Sequence, residues 1–189
     1  QAGSLYEDFF TGDVTVTANL INAGVEATTA SFRAPAVYAT KGVDGSDMDW
    51  TITRFALLDL DGDGADELVL NIDFSGEEEY VILTCYDGAV YANQVVYRGF
   101  LSPKADGTFE WSNGAFDNGA SRARFENGVL VYDDFAAMSE GSDGNAVYTL
   151  NGESIDEAAY SAFLDEQAAK DDLAWTEFSV DAVNAALAG

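Results

Sequence analysis

Residues 55–74 restrict this chain more than any other stretch. Asp59, Asp61 and Asp63 stand two positions apart, Gly62 and Gly64 follow the second and third of them, and Asp66 and Glu67 come next. The flanks carry no helical period. Leu68, Leu70, Ile72 and Phe74 alternate with Val69, Asn71 and Asp73, which is the pattern of a strand. Residues 55–60 are apolar on both faces up to Asp59, as in a central strand. The acids therefore occupy a tight, glycine-rich bend between two strands.

That bend has the chemistry of a calcium loop. Ca²⁺ takes about six to eight oxygens at roughly 2.3–2.6 Å. Carboxylates at alternate positions of a turning loop can converge on one centre. Asp59, Asp61 and Asp63 fall at loop positions 1, 3 and 5, Gly64 at position 6 permits the sharp turn, and Ala65 at position 7 offers its backbone carbonyl. This is the opening of the EF-hand loop pattern. The pattern then breaks, because position 12, the bidentate Glu of an EF-hand, is Leu70. The closing carboxylate comes from Glu67 at position 9 or Asp66 at position 8. Glu67 is favoured, since Asp66 is then free to face solvent. The competing reading is an acidic turn that binds nothing, against which stands the cost of crowding like charges.

The strand–loop–strand resembles the Asp-Gly-rich calcium loops of FG-GAP (integrin-type propeller) repeats, and this resemblance implies that the ninth position, Glu67, supplies the last carboxylate. It covers about 16 residues, and the chain holds one copy where a propeller needs several. The wider run, with a Tyr/Gly hairpin and a helical tail after the loop, is similar to secreted proteins of anaerobic Gram-positive bacteria that carry a single such loop and no assigned activity.

Composition narrows the function classes. The 189 residues predict one domain with a sizeable core. Thirty-four acidic against eight basic residues give a formal net charge of −26. Nucleic acid and anionic membrane surfaces both require a positive footprint, so neither is an expected partner. No apolar run is long enough to predict a transmembrane segment. The single cysteine, Cys85, rules out an intrachain disulfide and is expected to pack as a small hydrophobe. The first residues, Gln1-Ala2-Gly3-Ser4, read as those of a mature secreted or cell-surface protein whose signal or lipoprotein anchor has been removed. Calcium supports this, being plentiful outside cells.

The rest of the chain reads as turns and short strands. Residues 13–19 predict a strand, 20–30 a short helix or loop, 31–40 an edge strand interrupted by Pro35, and 41–49 a polar loop. Asp44, Asp47 and Asp49 in that loop are irregularly spaced, as in a solvated segment rather than a second metal site. Glu77, Glu78 and Glu79 predict a charged turn. Residues 80–86 and 89–100 form a hairpin about Asp87-Gly88, and further turns are expected at Asp106-Gly107, Asn113-Gly114, Asn118-Gly119, Asn127-Gly128, Asp143-Gly144 and Asn151-Gly152. Ser154 and Glu157 match a capping box for an amphipathic helix over about 155–170, and Ser179 caps a second short helix. Trp175 and Phe178 are placed to anchor this tail. The fold class is therefore α+β: a mainly antiparallel, sandwich-like sheet over 5–153, carrying loop 59–67, with a helical tail over 154–189 packed on it.

Catalytic machinery is hard to find. With no histidine in the chain, Ser-His-Asp and Cys-His arrangements and His-ligated zinc are excluded. A carboxylate pair is the one enzymatic route left, with Glu110 and Asp133-Asp134 as candidates. Arg122 and Arg124 share a strand face and pair with nearby acids or recognise an anionic ligand group. Tyr91, Tyr97, Phe109, Trp111 and Phe116 fill the core or, if exposed in a row, form a binding platform. The expectation is a secreted or surface, non-catalytic protein with one structural Ca²⁺ held by Asp59, Asp61, Asp63, the Ala65 carbonyl and Glu67, binding a protein or glycan partner. The competing class is a carboxylate-dependent hydrolase acting on polysaccharide or peptidoglycan.

Overall fold

The computed structural model describes residues 2–11, 15–21, 28–33, 50–74, 76–95 and 98–188. The chain begins with α1 (Ala2–Thr11), β1 (Thr15–Ile21) and β2 (Thr28–Arg33). Next come β3 (Trp50–Leu58), β4 (Glu67–Phe74), β5 (Glu77–Tyr86) and β6 (Ala89–Val95). A second run of strands follows: β7 (Thr108–Gly114), β8 (Asp117–Glu126), β9 (Val129–Glu140), β10 (Ala146–Leu150) and β11 (Glu153–Ile155). The tail holds α2 (Glu157–Ala168), β12 (Thr176–Glu177) and α3 (Val180–Leu187).

Two sheets result, ordered β12-β3-β4-β5-β6-β1-β2 and β11-β10-β9-β8-β7. The described ladders are antiparallel except for β1 against β6, which is parallel. The fold class is the α+β arrangement the sequence pattern predicts. Among the described residues no helix is long and apolar enough to cross a membrane.

The strands at the middle of the larger sheet are apolar on both faces, so each face needs a cover. Leu68, Leu70 and Ile72 of β4 and Val81 and Leu83 of β5 pack with Tyr6 and Phe9 of α1 and Val183 of α3. Val69 and Ile82 point the other way, into a core shared with Phe100, Phe109, Ala123 and Leu130 of the second sheet and its approach. The outer face of that second sheet is covered in turn by α2, through Ala120, Ala136 and Tyr160.

The tail fastens these layers. Lys104, buried beside β7, donates to Ala168 O at 3.0 Å and Lys170 O at 3.3 Å and pairs with Asp172 at 2.6 Å. A cation thus meets the carbonyl end of α2. Trp175 stacks on Tyr80 under the Arg54 guanidinium, and β12 pairs with β3. Trp175 and Phe178 do anchor the tail, the latter against Phe10.

Several expectations are corrected. The N-terminal residues form a helix, α1, within the stretch read as mostly β. Residues 28–30 are strand, in β2, where a helix or loop was expected. β3 lies next to the sheet edge, with only the two-residue β12 outside it, and β4 is the more central strand. Glu77, Glu78 and Glu79 begin β5 instead of forming a turn, because the chain reverses just before them at Gly76. Asn113-Gly114 and Asn118-Gly119 lie inside β7 and β8. Gly119 is needed there for closeness: a Cβ would meet Ala136 O at 2.3 Å and the Trp111 ring at 3.0 Å. Asp87-Gly88, Asn127-Gly128 and Asn151-Gly152 do turn hairpins, both residues of each having positive φ. Residues 34–49, with Pro35, Asp44, Asp47 and Asp49, and Tyr97 lie outside the described residues.

The start of α2 also differs. Its cap is Asp156, whose carboxylate accepts from Ala159 N at 2.8 Å, while Ser154 belongs to β11. The helix begins at Glu157 because the Asn151-Gly152 hairpin draws Ser154 into the sheet. Ser179 caps α3 as expected, accepting from Ala182 N at 3.0 Å. Asp156→Ala should therefore cost about 1 kcal/mol in denaturant unfolding, whereas Ser154→Ala should stay within about 0.5 kcal/mol of the parent. The opposite ranking would restore the capping box.

Candidate metal centre

β3 and β4 pair from Trp50↔Phe74 down to Leu58↔Glu67, so the chain between them must reverse over residues 59–66. The loop folds on its own acids. Asp59 accepts from Gly62 N at 2.8 Å through Oδ1 and from Gly64 N at 3.0 Å through Oδ2. Asp61 accepts from Asp63 N at 3.1 Å, and Asp63 from Ala65 N at 2.7 Å. Gly62 and Gly64 adopt φ of 78° and 90°, a region that resists side chains. Each aspartate is thereby oriented by a backbone N–H two to five residues on.

Glu67 differs from the other acids in being only 3% exposed. By strand alternation it faces the same way as Val69, and it lies beside Thr84 of the neighbouring strand. Its Oε2 accepts from Leu60 N at 3.0 Å, and its Oε1 from Thr84 Oγ1 at 3.2 Å. Burial pushes its carboxyl up to about 8, the Asp61 and Asp63 charges add to the effect, and the Leu60 and Thr84 hydrogen bonds oppose it. Asp61 is also raised, by partial burial and by the charges of Asp63 and Asp59, against the backbone hydrogen bond from Asp63.

One oxygen each from Asp59, Asp61 and Glu67 can be chosen so that all three lie within 4.8 Å of one another. Two oxygens on one Ca²⁺ can stand at most about twice the bond length apart, roughly 4.6–5.2 Å. The spacing of the three carboxylates is therefore compatible with a shared cation, which is one condition among those a site must meet. Asp63 lies outside this cluster and is exposed, as are Ala65 and Asp66. Asp66 contributes its carbonyl to the packing instead: Tyr6 of α1 donates to Asp66 O at 3.3 Å and to Leu83 O at 3.1 Å.

Thr84 and Tyr6 escaped the sequence reading. Thr84 is the one aliphatic hydroxyl in the otherwise apolar and aromatic run 80–86, a signal that was available. Tyr6 lies 60 residues from its partner Asp66, and only the tertiary fold brings it there. Burial raises the Cys85 thiol, so the sulfur stays protonated beside Tyr6.

The other candidates disperse. Trp111 Nε1 donates to Asp134 at 3.0 Å, and Ser121 also donates to it. Glu110 is adjacent to Trp111 on the same strand and so faces away, toward α2, which separates the proposed acid pair. Phe109 and Trp111 are buried, Tyr91 is half-buried against the Asn127-Gly128 turn, and Phe116 is exposed. Arg122 lies over the Phe135 ring and Arg124 pairs with Glu126. No family model matches the chain, and comparisons with curated proteins and with solved structures find no match either.

The raised carboxyl has a consequence for the metal-free protein. Between its ordinary 4.5 and about 8, Glu67 is protonated when folded and ionised when unfolded, so folding takes up a proton. That contribution is fully present below 4.5 and is lost as pH rises through about 8. In chelator, stability should fall over this window by on the order of a few kcal/mol. Glu67→Gln should flatten the fall by that amount, read by denaturant unfolding at intervals from pH 5 to 8.5. Parallel pH profiles for the two proteins would refute the assignment.

Proposed function

We propose that loop 59–67 binds one Ca²⁺ and that the protein is a secreted or cell-surface, non-catalytic module whose role is to engage a protein or glycan partner. The observation that carries the metal assignment is the buried Glu67 carboxylate facing Asp59 and Asp61. An ionised carboxylate at such a site, with two others beside it, is costly without a counter-charge. A divalent cation with oxygen preference removes that cost. In this reading Asp59, Asp61 and Glu67, which the fold already brings together, hold the ion, and Asp63 and the Ala65 carbonyl join them as the loop closes on it, with water completing the shell. In this reading the ion is structural, closing the turn between β3 and β4.

An extracellular setting is the reading supported by the proposed cation, which is abundant there, and by a net charge of −26 that suits a calcium-rich medium. The resemblance of the loop to FG-GAP calcium loops supports the same reading. The non-catalytic role is supported by the acids outside the loop. Glu110 and Asp134 face opposite sides of one sheet, and Asp106 is engaged by Lys170 and Thr108. Tyr86 and Phe116, 44% and 48% exposed, are large apolar side chains available to a partner.

Thermal unfolding in calcium and in chelator tests the metal. With free Ca²⁺ at about 100 times Kd, stability should rise by about 2.7 kcal/mol, which for a chain of this size is a Tm shift of roughly 5–10 °C. Glu67→Gln and Asp61→Asn should each abolish most of the shift. Identical melting curves in millimolar CaCl₂ and in EGTA would overturn the assignment.

A further inference from the structure

We propose that the same loop seats the second sheet on the first, so that cation binding and packing between the sheets form one coupled equilibrium. This rests on the calcium reading above, but it is built on contacts outside the acids. Leu60 lies between Asp59 and Asp61 in sequence. Its N–H is held by Glu67, and its side chain, 3% exposed, belongs to the core between the sheets with Val69, Phe100 and Phe109. The backbone of that residue also carries a contact from the second sheet. Gly107, in the turn leading to β7, sits so close that a Cβ there would lie 3.3 Å from Leu60 O and 3.8 Å from Asp59 O.

That turn cannot shift alone. Lys104 N and Thr108 O are hydrogen-bonded across it at 2.8 Å, and Gly107 N donates to Lys104 O at 3.0 Å. The Lys104 ammonium holds the end of α2, and Lys170 pairs with Asp106 at 2.8 Å. Turn, the start of β7 and the end of α2 are therefore tied to one another where they meet residues 59–60. On the opposite layer, Tyr6 ties α1 to the Asp66 carbonyl. Residues 59–67 thus touch all three layers. A cation shared by Asp59, Asp61 and Glu67 fixes the loop with Leu60 in the seam, and its removal loosens that hold. Because coupling is reciprocal, loosening the seam must weaken the cation by the same factor that the cation tightens the seam.

Hydrogen exchange on the full chain, in CaCl₂ and in EGTA, tests the proposal. The expected result is greater protection in calcium both at residues 59–67 and at the amides of Leu101, Lys104, Gly107 and Glu110, which bond within the turn and to β7. Protection confined to 59–67 would overturn the coupling while leaving the metal site intact. Unchanged protection throughout would remove the calcium reading and the coupling with it. Gly107→Ala supplies the reciprocal arm, and Gly152→Ala is its control. Both residues have φ of 79°, but a Cβ at Gly152 meets nothing within 4 Å. Calorimetric titration with CaCl₂ should show Gly107→Ala weakened about fivefold or more and Gly152→Ala unchanged. Equal affinities for Gly107→Ala and the parent protein, or equal weakening in both variants, would overturn the coupling.

Discussion

The structure depends on a carboxylate that is placed where a carboxylate is expensive to keep. Glu67 opens β4, is almost fully buried, and holds Leu60 N–H and the Thr84 hydroxyl. Those two hydrogen bonds close the β3–β4 reversal and tie it to β5. They also compete with desolvation, which still dominates and raises the carboxyl. An apolar residue at this position would fit the surrounding core but would leave Leu60 N–H without its acceptor. The acid is thus retained for what it accepts, and its charge is the unresolved cost.

The layering follows from that centre. β4 and β5 bury both faces, so they need α1 and α3 on one side and the second sheet on the other. The second sheet in turn needs α2. Each layer is reached from the loop through a different kind of contact: a tyrosine hydroxyl to a carbonyl, a leucine side chain in a core, and a glycine against a backbone. The tail then crosses from the second sheet to the first through Lys104, Trp175 and Phe178.

What could be read from sequence was local. The acid-glycine spacing at 59–64, the strand alternation at 68–74 and the hairpin dipeptides at 87–88, 127–128 and 151–152 are set by backbone conformation and nearest neighbours, and they lie where the patterns put them. What could not be read depended on partners far away. Asn118-Gly119 has the composition of a turn, yet Trp111 and Ala136 demand a residue without a side chain inside a strand. Ser154-Glu157 has the spacing of a capping box, yet pairing with β10 claims Ser154 first. The parallel β1–β6 pairing and the α1 helix belong to the same class, since both are stabilised by packing on strands 60 or more residues away. Within the loop, sequence named the acids but could not tell that Glu67 is buried while Asp63 and Ala65 are exposed.

The charge balance explains why the loop stands apart from the rest of this acidic chain. Elsewhere several carboxylates are met by local donors, although burial raises Glu79 and Glu110 as well. Asp73, Asp143 and Asp156 accept backbone N–H groups of nearby residues, and at Asp143 the hydrogen bonds from Asn145 hold the carboxyl below its ordinary value. The few cations are placed at joints: Lys104 at the end of α2, Lys170 on Asp106, and Arg54 between Glu78 and Trp175. For Asp106, the hydrogen bonds and charge of its partners overcome partial burial and hold the carboxyl down at about 2. At the loop the same devices are already in use, with five backbone N–H groups directed at Asp59, Asp61, Asp63 and Glu67, and they do not suffice for Glu67. None of the ion pairs described elsewhere reaches these four acids. Proton uptake neutralises one carboxylate and leaves the others crowded. A divalent cation neutralises the group together, and this is the physical argument behind the proposed ion.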